Sequence, residues 1–182
     1  MRSIKLQVGN KEIGSALTWA YPYGEAYGYY KIPTYELTVS GKNDSGFLQQ
    51  KKFEVLRFGV KGPKGDKPRV VGLADQQSHI IKAWLPHYTV HSAASLERGA
   101  WQVYDNFLIH DGPDDPKREA YASVGCVEVC NGPQGFDMFN DFIILLSGAK
   151  AVNRDAKLRE IGQSKNMTIT YLKAMRPRIA RP

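Results

Sequence analysis

A mainly β domain with one packed helix is the fold class this sequence predicts, and three observations predict it. Short runs rich in aromatic and β-branched residues recur along the chain, some with alternating apolar positions. Glycine and proline clusters punctuate those runs as turns. One stretch, 134–146, instead repeats its apolar residues at three- and four-residue steps, the spacing of a helix with one buried face. At 182 residues the chain is sized for a single domain, 1–182.

Ile4, Leu6 and Val8 alternate through 3–8 and predict a strand with one buried side. The segment 19–30 holds Tyr21, Tyr23, Tyr27, Tyr29 and Tyr30 among glycines and reads as a loop packed over the sheet. Strands are expected at 35–39 and 53–60, with a turn through Gly41-Lys42-Asn43-Asp44-Ser45-Gly46 between them. A longer exposed loop follows at 61–68, and further strands at 88–90 and 101–109. Phe136, Phe139, Ile143 and Leu146 define the helix over 134–146; Pro133 suits its first turn and Gly148 its end. A short second helix over 155–161, closed by Gly162, and a last strand over 167–172 complete the reading.

Composition narrows the class. Hydrophobic residues at 42% and charged residues at 24% match a globular protein and argue against disorder. The longest apolar run, Phe142-Ile143-Ile144-Leu145-Leu146, is far short of the ~20 residues that cross a bilayer, so no membrane span is expected. The first ten residues carry no apolar run of signal-peptide length. A net charge of +7 favours anionic partners, with Lys61, Lys64, Lys67 and Arg69 in one group and Arg176, Arg178 and Arg181 in another. No aromatic-and-basic stripe of the kind a single-strand binder needs is present, and nucleic acid is not expected as a partner.

The two cysteines, Cys126 and Cys130, are four apart; on a strand that is ~13 Å, too far for a disulfide. No histidine pair accompanies them, so neither a metal nor any other cofactor is expected. Cys130 reads as a small buried hydrophobe and Cys126 as a reactive thiol.

The stretch with chemistry in it runs Asn106-Phe107-Leu108-Ile109-His110-Asp111-Gly112-Pro113 and, after a polar loop, Ser123-Val124-Gly125-Cys126-Val127-Glu128-Val129. An apolar strand delivers His110 to its end, and a small-residue turn presents Cys126 ahead of another β-type run. Each is expected at a strand edge, in the open. A free thiol, with a pKa of ~8.5, is mostly protonated at neutral pH, so a nucleophilic cysteine needs a base within reach. His110 is that base, and a third group must hold its tautomer. Gly125 would let substrate approach the backbone closely, and the N–H groups of Ser123, Val124, Gly125 and Cys126 are candidate oxyanion donors. All four histidines precede Cys126, which excludes the papain-like order of cysteine first.

These residues resemble the catalytic domain of the YkuD-type L,D-transpeptidases. That family places a histidine at a strand end, then a loop, then Ser/Thr-His-Gly-Cys followed by an apolar-Arg-apolar run. His110 and Cys126 stand sixteen positions apart, within the family's spacing, and Ser123, Gly125 and Cys126 match the motif. The helix at 134–146 also falls where the family has one. Val124 replaces the family's second histidine, and Glu128 replaces its arginine, which removes a polar neighbour of the thiol and reverses a charge near the substrate carboxylates.

The resemblance implies an L,D-transpeptidase-like β-sandwich with one packed helix after the cysteine motif and a short C-terminal helix. It implies peptidoglycan stem peptides as substrate, cut between the third residue (a diamino acid) and D-alanine, with Cys126 as nucleophile and His110 as base and acid. The family orients its histidine by a nearby backbone carbonyl, which nominates Asp111. The product would be a cross-link, an exchanged D-amino acid or a trimmed stem. Family members without an export signal include antibacterial effectors delivered by a secretion machine. That places this chain in the periplasm or cell wall, with an immunity protein as a further partner.

Two other readings stand beside it. A sortase-type transpeptidase would need an arginine on a strand after the cysteine, whereas Arg154 and Arg159 fall in an expected helix. A non-enzymatic module could use the basic loops and tyrosines on cell-wall glycan or nucleic acid.

Overall fold

The computed structural model describes residues 1–22, 24, 28–62, 67–89 and 98–182. Among them the chain runs β1 (Ile4–Val8), β2 (Gly14–Trp19), β3 (Tyr29–Lys42), β4 (Leu48–Leu56), β5 (Gly59–Lys61), β6 (Arg69–Val71), β7 (Gln77–Ile80), β8 (Ala83–Leu85), β9 (Ala100–Tyr104), β10 (Phe107–Asp111), β11 (Tyr121–Ala122) and β12 (Val127–Val129), then α1 (Gly135–Ser147), α2 (Arg154–Ser164) and β13 (Met167–Tyr171). The main sheet has the order β7-β13-β1-β3-β4-β12-β10-β9-β8, and β5 and β6 form a separate ladder. The fold is mainly β. No described helix is long and apolar enough to cross a membrane.

The long strand β3 organises the sheet. Its first half pairs with β2 (Gly14↔Thr34 to Trp19↔Tyr29), its second half with β1 (Val8↔Leu37 to Ile4↔Gly41), and its other edge with β4. The sheet curls and leaves two apolar layers. On the helix face, Leu37, Val55, Ile109, Val127 and Val129 pack with Phe136, Phe139, Ile143 and Leu146 of α1. Each of those four helix side chains is fully buried, contributing roughly 1.5–3 kcal/mol apiece. On the far face, Leu56 and Cys130 pack with Ala16, Ala20, Tyr30, Ile32 and Val60. Period-2 alternation separates the two sets, because neighbours along a strand point to opposite faces.

Several elements differ from expectation. The run 53–60 divides into β4 and β5 around buried Arg57, whose guanidinium donates to the carbonyls of Gly9 and Leu73 at 2.7 and 2.9 Å and to that of Leu172. The run 101–109 is a hairpin, β9–β10, turning at Asp105 with a left-handed φ of 45°. Tyr88 and Thr89 lie outside any strand, after β8, and Val90 is outside the described residues. So are Tyr23, Tyr27 and Lys64, while Tyr29 and Tyr30 open β3 instead of a loop. The second helix runs on through Gly162 and ends at left-handed Lys165. Gly162 stops nothing; it allows close approach, since a Cβ there would lie 2.8 Å from the Trp84 nitrogen.

Candidate active site

The loop after β10 returns the chain as β12, directly alongside and parallel to it: Ile109 pairs with Val127, His110 with Glu128 and Asp111 with Val129. Apolar Ile109, Val127 and Val129 take the helix face. His110 and Glu128 are thereby turned to the far face. The returning loop is fastened to β2, where the Leu17 N–H donates to the Pro116 carbonyl and the Thr18 hydroxyl to the Tyr121 carbonyl, both at 2.7 Å. β11 pairs with β2 immediately before Ser123. Two anchored strands therefore set the position of 123–126.

His110 is 1% exposed, and its Nδ1 lies 2.6 Å from the Asp111 carbonyl oxygen. A carbonyl only accepts, so Nδ1 carries the hydrogen and Nε2 of the neutral ring holds the lone pair. That is the carbonyl the resemblance nominates. The Asp111 carboxyl does not join the ring: it lies on the helix side, 3.5 Å from Arg98 Nε. Burial pushes it up to about 7, against the lowering effect of Arg98.

Cys126 packs with Ala100 and Leu108. Leu108 is two residues from His110 on β10, and Ala100 is the partner of His110 across β9. Thiol and imidazole thus occupy one face of the sheet. The sequence predicts both in the open; the fold buries them instead, Cys126 being 5% exposed. Burial pushes its thiol up to about 12, the Leu108 backbone N–H opposes this and the Glu128 charge adds to it. The sulfur faces the Asn106 carbonyl at 3.8 Å. In this state the thiol is protonated. Cys130, also free and buried, is raised well above the usual thiol range for the same primary reason and is the small hydrophobe expected of it.

Gly125 serves a different purpose from the one expected. Its φ of +98° is left-handed, and a Cβ there would lie 2.5 Å from Gly72 Cα. The close approach is to the protein's own backbone, not to an open groove. Val124 is half-buried in the same bend, and Ser123 is buried with its hydroxyl lacking a hydrogen-bond partner among the described residues.

Glu128 is the residue that sequence reasoning misplaced. Expected near substrate carboxylates, it is 1% exposed, with Oε1 3.9 Å from His110 Nε2. Burial pushes its carboxyl up to about 8; the Ser123 hydroxyl favours the ionised form, though without a hydrogen bond of normal geometry. Its two-residue offset from Cys126 was the available signal, since that offset repeats one face of a strand. No group of three or more His, Cys, Asp or Glu among the described residues is arranged to hold a metal. Compared with known proteins, the chain matches no family model, no curated protein and no solved structure.

Proposed function

We propose that this chain is a cysteine acyltransferase of peptidoglycan stem peptides, with an L,D-transpeptidase-like β-sandwich fold. One observation carries the reading. His110 Nδ1 faces the Asp111 carbonyl, so the neutral ring carries its lone pair on Nε2, and Cys126 packs on the same face of the sheet. In the reaction, Cys126 Sγ attacks the carbonyl between the diamino acid and D-alanine, and Nε2 takes the thiol proton. Collapse of the tetrahedral adduct forms a thioester, and the same proton leaves with the D-alanine amine. An incoming amine then yields a cross-link or an exchanged D-amino acid; water yields a trimmed stem. Turnover requires the buried thiol to be uncovered by substrate. The resemblance extends the proposal to a periplasmic or cell-wall site of action, delivery as an antibacterial effector and neutralisation by an immunity protein.

Incubation with purified peptidoglycan, followed by mass analysis of muropeptides, tests this. Wild type is expected to give trimmed tetrapeptides, D-amino acid adducts or new cross-links, and Cys126→Ala to give none while retaining its circular dichroism spectrum. Equal product from both proteins would overturn the reading. The burial of the thiol favours a second one, a non-enzymatic basic module for wall glycan. It expects no muropeptide change from either protein and undiminished wall binding by Cys126→Ala.

A further inference from the structure

Taking Cys126 and His110 as the working pair, we infer that Glu128 is a positioning residue: it competes with the thiol for His110 Nε2 and so decides whether the imidazole can act as base.

The geometry leaves Glu128 this partner. His110 and Glu128 are register partners on parallel strands, both 1% exposed, with Oε1 and Nε2 3.9 Å apart. Nδ1 is occupied by the Asp111 carbonyl, so Nε2 is the nitrogen the carboxyl meets. Flanking the strand of Glu128 are Cys126 and Cys130, both neutral thiols. Across β4 its partner is Leu56, with Glu54 farther along and bonded to the Thr34 hydroxyl. The loop before β12 supplies the Ser123 hydroxyl. Asp111 acts through the sheet and has Arg98 for itself. Among the described residues His110 is the basic side chain within ion-pair reach of Glu128. Oε2 has no hydrogen-bond partner among them, so the carboxylate form has little else to stabilise it.

A proton shared by this pair has two places to sit. On Glu128, it leaves Nε2 its lone pair, and the thiol proton can move there to give thiolate and imidazolium. On Nε2, it makes a buried His110–Glu128 ion pair, and the thiol has no base. The family's arginine at this position cannot play that part. Glutamine at 128 keeps the volume and removes the competitor, so the imidazole should bind a proton less tightly.

The test is an NMR pH titration of the His110 ring in the Cys126→Ala background, with and without Glu128→Gln, the resonance being assigned by its loss in His110→Gln. Glu128→Gln is expected to lower the proton affinity of His110 about tenfold or more, a shift of one pH unit. In the protein with its thiol intact, the acid limb of Cys126 alkylation by iodoacetamide should move the same way, measured with Cys130→Ala. An unmoved His110 midpoint overturns the inference. If Glu128→Gln fails to fold, the wild-type Glu128 carboxyl carbon decides: it should show both midpoints seen at the His110 ring, and a single midpoint of its own overturns the inference. Because these readouts need no substrate, they stand apart from the muropeptide assay. A shifted midpoint without turnover would sink acyl transfer and leave the pair; turnover without a shift would do the reverse.

Discussion

At the scale of the residue, two buried carboxyls make the protein respond to pH against the usual carboxylate pattern. Glu128 is raised from 4.5 to about 8 and Asp111 from 3.8 to about 7, burial being the larger cause in each. In that window the folded protein holds protons that the unfolded chain has released, so stability must fall as pH rises. The melting temperature is expected to drop between about pH 5 and pH 8 and to level off above, and Glu128→Gln to flatten the upper part of that slope. A melting temperature that climbs across this window would contradict the burial argument. The same residues show what could be read in advance. His110 and Cys126 are close in sequence and set in a motif, and the resemblance adds the adjoining Asp111 carbonyl. The offset of two puts Glu128 on the Cys126 face, but it meets His110 only because β10 and β12 lie parallel in one register.

At the scale of the element, helices were legible in proportion to their periodicity. The stripe Phe136, Phe139, Ile143 and Leu146 places α1 to within a residue at each end, and Gly148 closes it with a φ of 73°. The second helix has a weaker stripe, and its glycine lies inside it instead of closing it. Alanine at a helix interior ordinarily stabilises by roughly 1 kcal/mol over glycine. Here the added Cβ would press on the Ala83–Trp84 backbone at 2.8–3.2 Å. Gly162→Ala is therefore expected to destabilise, by roughly 1–3 kcal/mol, read as a lower urea midpoint. A gain in stability would restore Gly162 as a mere terminator.

At the scale of the whole molecule, Arg57 fastens segments far apart in the chain. Its guanidinium joins Gly9 after β1, Leu73 after β6 and Leu172 after β13, and lies against the rings of Tyr35, Phe58 and Tyr171. No carboxylate among the described residues is involved; three backbone carbonyls satisfy the cation. Arg57→Met fills the space but strands those acceptors, at about 1–3 kcal/mol each. Guanidinium-chloride unfolding should show a loss above about 3 kcal/mol, and Arg57→Lys, with a point charge instead of a fork, should recover only part. A loss below about 1 kcal/mol would mean that water replaces the clasp.

The mainly β class, the helix after the cysteine and the pairing of His110 with Cys126 as candidates were determined by the sequence alone, because alternation, turn residues and short motifs are local. Tertiary structure decided the curl of the sheet around β3, the parallel neighbours β10 and β12, the burial of the thiol and the meeting of Glu128 with His110. Those depend on which strands pair and on what covers the far face, and such contacts join residues whose separation along the chain carries no periodic signal.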